Sequence, residues 1–181
     1  MLVYSHYLPI KIIKCLTRSK TIIHFVHSDA QTARARFKGV NSTMIIRAYN
    51  HNDLSAVIKL WRDTGLVVEQ NDPEKDINRK LMVDPDLFLV GELENKVIGS
   101  VMGGYEGHRG WINYLAVSPS HQRKGYARIL MNEVEKLIHE KGCPKINLQV
   151  RDTNKAVLEF YAAIGYADDS VIGLGKRLEY D

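Results

Sequence analysis

The stretch Leu115–Leu130 (LAVSPSHQRKGYARIL) constrains this chain more than any other, because its hydrophobic period changes midway. Ile112 to Val117 is an apolar run long enough for a buried strand. Pro119 ends that strand, since it lacks an N–H and fixes φ. Ala127, Leu130, Met131, Val134, Leu137 and Ile138 then recur at helical spacing, and Gly142 stops the helix. Whatever the fold, a strand must feed a helix through Gln122-Arg123-Lys124-Gly125-Tyr126-Ala127.

Such a junction has a physical use. The first N–H groups of a helix lack intrahelical partners, and the helix dipole is positive at that end. Phosphate oxygens satisfy both. Gly125 allows close approach and φ > 0, Ala127 is small, and Arg123 and Lys124 add positive charge. The residues fit neither the P-loop nor the Gly-x-Gly-x-x-Gly pattern. A plain turn with a solvated basic face is the competing reading. The stretch resembles the pyrophosphate loop of the GNAT N-acetyltransferase superfamily, Arg/Gln-x-x-Gly-x-Gly/Ala after a strand ending in Val-x-Pro. Val117-Ser118-Pro119 and Gln122 to Ala127 match it in order and spacing, with Ala127 in place of the commoner Gly.

The 181 residues suffice for one ordinary domain. No run approaches the ~20 apolar residues of a membrane helix. Cys15 and Cys143 imply no disulfide framework, so a reducing, cytoplasmic location is expected. The net charge of +4 is unevenly spread. Residues 1–43 hold seven of the 25 Lys and Arg and a single acid, Asp29, for a net +6. The other 138 residues hold 18 basic and 20 acidic groups, a net −2, so the body of the chain is not expected to bind nucleic acid.

Residues 1–43 show no clear period and are read as a basic extension, poorly ordered or non-native. Three origins compete: a stretch upstream of a working initiator at Met44, a targeting segment, or a tail that contacts anionic partners. The domain is expected over 44–181. Met44–Tyr49 reads as a strand, and Asn52 as the cap of a helix carrying Leu54, Val57, Ile58 and Trp61 on one face, with Gly65 ending it. Asp72-Pro73 opens a second helix with Ile77 and Leu81 inward. Strands follow over Leu87–Glu92, Lys96–Tyr105 and Trp111–Val117, the first two joined by Glu94-Asn95. After the long helix come a strand over Lys145–Val150, a helix from Asn154 to Ile164, and strand material over Ile172–Tyr180. The order predicts an α+β fold, with a mixed, mostly antiparallel sheet flanked by about four helices, which is also the order of the GNAT fold.

A second segment resembles the same superfamily. Asn154, Ala156–Val157, Tyr161 and Gly165-Tyr166 are similar to its Asn-x-x-Ala-x-x-x-Tyr-x-x-x-Gly-Phe/Tyr pattern in the spacing from Asn154 through Tyr161 to Gly165. The run from Met102 to Gly110 and Leu174–Leu178 resemble the bacterial YpeA-type members. The resemblance implies an N-acetyltransferase that uses acetyl-CoA and no metal. It implies that Leu115, Ala116 and Val117 pair with the pantetheine arm, that Gln122, Arg123, Lys124, Gly125, Tyr126 and Ala127 hold the pyrophosphate, and that Asn154 lies near pantetheine. It also implies that Tyr161 points its hydroxyl at the thioester sulfur. On physical grounds alone, Asn154 is equally a helix cap and Tyr161 a core ring.

Acetyl transfer needs a placed thioester, a polarised carbonyl, a neutral amine and a stabilised thiolate. Simple alternation puts Trp111, Asn113, Leu115 and Val117 on one strand face and Ile112, Tyr114 and Ala116 on the other, with no carboxylate or His on either. Glu69, Asp72, Glu106, His108 or a water chain are the candidate bases. At pH ~7.5 a lysine amine is neutral about once in a thousand and an α-amine about a quarter of the time. A site without a dedicated base therefore suits an α-amine or small amine better than lysine. A small-molecule or peptide amine is the expected acceptor, with no membrane partner and a homodimer left open. The alternative is a GNAT-fold module that binds acyl-CoA without turnover.

Overall fold

The structure is a computed structural model that describes residues 32–35 and 43–179. A five-residue strand, β2 (Met44–Ala48), buries Met44 and Ile46 by alternation. One 3-10 turn, His51–Asp53, then precedes helix α1 (Leu54–Asp63). The cap is Asn50, not Asn52 as expected from sequence. Asn50 has extended backbone, its side chain accepts from Asn52 N–H at 2.9 Å, and its own N–H donates to the Asp53 carboxylate at 2.9 Å. This reciprocal pair satisfies two orphan donors and moves the start two residues upstream. Helix α1 buries Val57, Leu60 and Trp61, and Gly65 at φ 70° follows its end. Helix α2 (Pro73–Leu81) starts as expected, with Asp72 accepting from the N–H groups of Glu74 and Lys75, and it buries Ile77.

Strands β3 (Phe88–Leu93) and β4 (Lys96–Tyr105) are joined by Glu94 and Asn95, both at positive φ, the geometry of a tight hairpin turn. Strand β5 (Gly110–Val117) follows. Helix α3 (Tyr126–Glu140) crosses over to β6 (Ile146–Leu148), which pairs parallel with β5. Helix α4 (Lys155–Ala163) comes last. A strand β1 (Thr32–Ala35) pairs antiparallel with β2, so the sheet runs β1-β2-β3-β4-β5-β6. No strand period was expected there. The expectation for the rest of residues 1–42 lies outside the described residues.

Two expected strands are corrected. The Lys145–Val150 strand is reduced to Ile146–Leu148, and residues 172–179 form no strand. Ile172, Leu174 and Leu178 alternate as a strand would, yet they are 88%, 93% and 87% exposed. Gly173 and Gly175 interrupt the run, and β6 offers a neighbour of only three residues. The segment is held instead by Arg177, which donates to Gln70 O at 2.8 Å and Asn71 Oδ1 at 3.3 Å in the α1–α2 connection.

The sheet separates two apolar clusters. On one side α3 inserts Ile129, Leu130, Met131, Val134 and Ile138. Each such burial contributes about 1.5–3 kcal/mol. The helix lies close because the sheet offers glycine beneath it: a Cβ on Gly99 would meet Leu130 Cδ1 at 2.7 Å, and one on Gly103 would meet Val134 Cγ2 at 2.6 Å. On the other side Val57, Leu60, Trp61 and Ile77 from α1 and α2 cover Phe88, Val90, Met102 and Ala116.

Candidate active site

The alternation expected along β5 breaks at its centre. Ser100 pairs with Ala116 and Met102 with Asn113, so Val101 alone faces Tyr114 and Leu115. The extra residue is a β-bulge, and Tyr114 sits in the left-handed region at φ 51°. The bulge moves Ile112 to the face opposite the one expected. Ile112 joins Leu115 and Val117 in the α3 cluster, whereas Tyr114 and Ala116 share the α1–α2 cluster as the alternation expects. Buried Ser100 supports the bend: its hydroxyl accepts from Trp61 Nε1 at 2.8 Å and donates to Tyr114 O at 3.3 Å. The Tyr114 ring stacks on Trp61 at 4.0 Å.

Among the described residues, β5 has no strand on one side beyond the bulge. Its parallel pairing with β6 ends at Ile112 opposite Leu148. From Asn113 to Val117 the two chains no longer pair, which leaves that edge of β5 open. Unpaired edge N–H and C=O groups are a template for an extended amide-bearing chain. The opened edge leads straight into the loop. Ser118 N–H donates to Ile98 O, the turn Pro119–His121 follows, and Gln122 Nε2 donates to Val117 O at 3.0 Å. Arg123 and Gly125 adopt φ 61° and 87°, with Gly125 at the cap position of α3. Left-handed residues in such a turn wrap successive N–H groups around a concavity suited to anions. No side chain caps α3. Arg123, Lys124 and Gly125 are exposed, Lys124 Nζ donates to Ser120 O at 2.8 Å, and Tyr126 is buried in the α3 cluster. The Tyr126 ring is therefore turned into the core.

Helix α4 lies beside this start. Arg128 Nη2 donates to Ala163 O at 3.3 Å, joining the first turn of α3 to the last of α4. Tyr161 is 9% exposed and shares a cluster with Val117, Tyr126 and Leu115. Burial, with a smaller contribution from the charge of Glu135, pushes its phenol up to about 12. Its ring meets Tyr166 edge-on at 5.5 Å, and Tyr166 donates to Glu135 Oε1 at 2.9 Å. Burial also raises Glu135, against the opposing hydrogen bond from Tyr166. Asn154 is exposed and caps α4, accepting from Val157 N–H at 3.4 Å.

The expected base candidates have local partners or lie exposed on loops. Glu106 accepts from the N–H groups of His108 and Arg109 and closes the β4–β5 loop. His108 is exposed on the same loop. Both lie past Gly110, about 13 Å up the strand from Tyr114 at strand rise. Asp72 caps α2, and Glu69 is exposed on the α1–α2 connection. Asp76 meets the bulge residue, accepting from Tyr114 Oη at 2.6 Å. Sequence reasoning missed Asp76, Tyr114 and Ser100. Nothing in a period-two pattern announces a bulge, and Asp76 falls on the polar face of an ordinary helix. Among the described residues no group of His, Cys, Asp and Glu is set to hold a metal, and no helix is long and apolar enough to cross a membrane.

This arrangement, a bulged strand opening beside its parallel neighbour and leading into a left-handed loop and an uncapped helix, is that of an acyltransferase fold. Residues 54–166 match the family described as Acetyltransferase (GNAT) family, and the chain belongs to it. A protein named acetyltransferase from Sodalis glossinidius is 50% identical over 139 residues, 76% of this chain and 98% of that protein. One of the same name from Pectobacterium atrosepticum is 49% identical over 138 residues, again 76% and 98%. Among solved structures, the PaiA N-acetyltransferase of Thermoplasma acidophilum in complex with coenzyme A superposes with a TM-score of 0.64 at 21% identity, covering 72% of this chain and 93% of that one. The aminoglycoside N-acetyltransferase AAC(6')-Iy in complex with CoA gives 0.63 at 20% identity, covering 78% and 99%. The family is one of acetyltransferases, and acetyl-CoA fits this chain as co-substrate.

Proposed function

We propose that the chain moves the acetyl group of acetyl-CoA to a primary amine by direct attack on the thioester, favouring an α-amine or small amine over lysine. The observation that carries this reading is the open edge of β5, Asn113–Val117, running from the bulge into the uncapped start of α3. Leu115, Ala116 and Val117 would pair with the amides of pantetheine. Gln122 holds the loop, and the N–H groups of Arg123, Lys124, Gly125, Tyr126 and Ala127 would take the pyrophosphate, with the two cations adding charge. Asn154 would bind near pantetheine while capping α4.

A backbone N–H at the bulge would polarise the carbonyl oxygen. The neutral amine's lone pair forms the C–N bond, the C–S pair leaves on sulfur, and nitrogen sheds a proton as sulfur takes one up. Tyr161 would face that sulfur. With its phenol pushed up to about 12, Tyr161 stays protonated and donates a hydrogen bond to the developing thiolate rather than giving its proton to a thiolate whose conjugate thiol titrates near ~8.5.

The test is calorimetry of the full chain with CoA and with dephospho-CoA, which lacks the 3′-phosphate. Micromolar CoA binding is expected, and reversing charge at Arg123 and Lys124 together should weaken CoA more than dephospho-CoA. Absence of CoA binding by the wild-type chain would overturn the reading. Binding without thiol release in the presence of any amine would leave an acyl-CoA-binding module in its place.

A further inference from the structure

On the α2 side of the sheet a cleft of about 400 Å³ is lined by Asn71, Asp76, Arg79, Arg177, Leu178 and Glu179. Tyr114 connects it to the centre of β5, because its backbone forms the bulge while its hydroxyl reaches Asp76 Oδ2 at 2.6 Å. Arg79 Nη1 donates to the other Asp76 oxygen, Oδ1, at 3.2 Å. The Asp76 carboxylate is thus held from two directions, and side-chain exposure of 20% keeps it in reach of the cleft. The opposite wall is the segment of residues 177–179, fastened to the α1–α2 connection by Arg177.

We infer that this cleft receives the acceptor and that the acceptor is a free α-amino acid, its ammonium against Asp76 and its carboxylate against Arg79 and Arg177. The inference rests on the acetyltransferase reading above. A wall of one sign would suit a polycation or a polyanion. Here two carboxylates and two guanidinium groups share a space at the small end of the usual ligand range. Both signs within one small cleft match a small zwitterion, and guanidinium forks match a carboxylate geometrically. In the transfer the α-nitrogen forms the bond to the carbonyl carbon and the C–S bond breaks with its electron pair to sulfur. The ammonium loses two protons in all, one matched by uptake at sulfur and one released to solvent. Asp76 acts here as a binding and orienting group for the amine.

The full chain, acetyl-CoA and matched sets of L-amino acids, their amides and their decarboxylated amines test this by release of CoA thiol. At least one amino acid is expected to exceed its amide and its amine tenfold in kcat/KM. Asp76→Asn should lower that kcat/KM tenfold or more, mainly through KM. Arg177→Met should shrink the preference for acid over amide to less than threefold. CoA affinity, measured on each variant, reports folding. If Asp76→Asn fails to fold, Arg177→Met on its exposed segment decides. Equal turnover of amides and amines, or an intact preference in Arg177→Met, overturns the inference. A wild-type chain that binds CoA but acetylates no amino acid overturns the inference alone, whereas loss of CoA binding in the wild-type chain overturns the donor reading with it.

Discussion

Two residues divide chemistry from stability. Tyr161→Phe removes one oxygen and keeps a ring in a cluster that tolerates it. If its hydroxyl meets the leaving sulfur, kcat should fall about 10²-fold with KM for acetyl-CoA little changed, the pattern of an interaction made mainly in the transition state. An unchanged kcat in the folded variant would reduce Tyr161 to a core residue. Asp53 is the stability counterpart. It is 5% exposed and takes two hydrogen bonds from Arg47, at 2.7 and 2.9 Å, while Arg47 also reaches Glu92 at 2.8 Å. Burial pushes Asp53 up, but the Arg47 and Asn50 hydrogen bonds outweigh it and hold its carboxyl below the ordinary value. A carboxylate depressed on folding contributes stability above its unfolded pKa of about 4 and loses it as pH falls toward the folded value. Asp53→Asn should therefore cost about 2 kcal/mol at pH 7, since Arg47 is left with one carboxylate partner, Glu92, and is itself partly exposed. The gap between variant and wild type in urea midpoint should narrow at pH 3. A gap independent of pH would show that the pair's charge is not what matters. At this scale the sequence was legible where a side chain acts locally: Asp72 before Pro73 and Asn154 before its helix both cap as expected. It was illegible where a side chain meets a distant partner, as with Tyr114 and Asp76, 38 positions apart.

Among the elements, the contact of α3 with the sheet depends on glycines that a hydrophobic pattern does not count. Gly103→Ala would place a methyl 2.6 Å from Val134 Cγ2 and 3.0 Å from Ile138 Cδ1. Both are side-chain ends, so some relaxation is available and the expected cost is about 1–3 kcal/mol. Combined with Val134→Ala, the loss attributable to Gly103→Ala should shrink by more than half in a double-mutant cycle, and strict additivity would show that the helix does not bear on that position. Helices and long strands were read nearly to the residue because their periods are long and strong. The bulge in β5, the shortening of β6 and the missing strand after Ile172 were not. Each is settled by which neighbour exists along an edge, and that is information no local window contains. The splay between β5 and β6 is likewise a tertiary fact, although the Gly125 junction that it leads to is plain in the chain.

For the whole molecule, residues 1–43 stand apart in charge, a net +6 against −2 for the rest. We propose that they are dispensable for cofactor binding. A chain starting at Met44 should keep CoA affinity within threefold, and it should melt within a few degrees of the full chain, because β1 adds only four residues to the edge of β2. A large loss of either would show that the segment braces the domain. CoA binding at the other end of the sheet is tested most directly by amide hydrogen exchange resolved by residue, with and without CoA. Exchange is expected to slow at Asn113–Val117 and at Arg123–Arg128 when CoA is added, while β1, β2 and the β4–β5 loop stay unchanged. CoA binding that leaves those two stretches unprotected, or protects another part of the sheet instead, would contradict it.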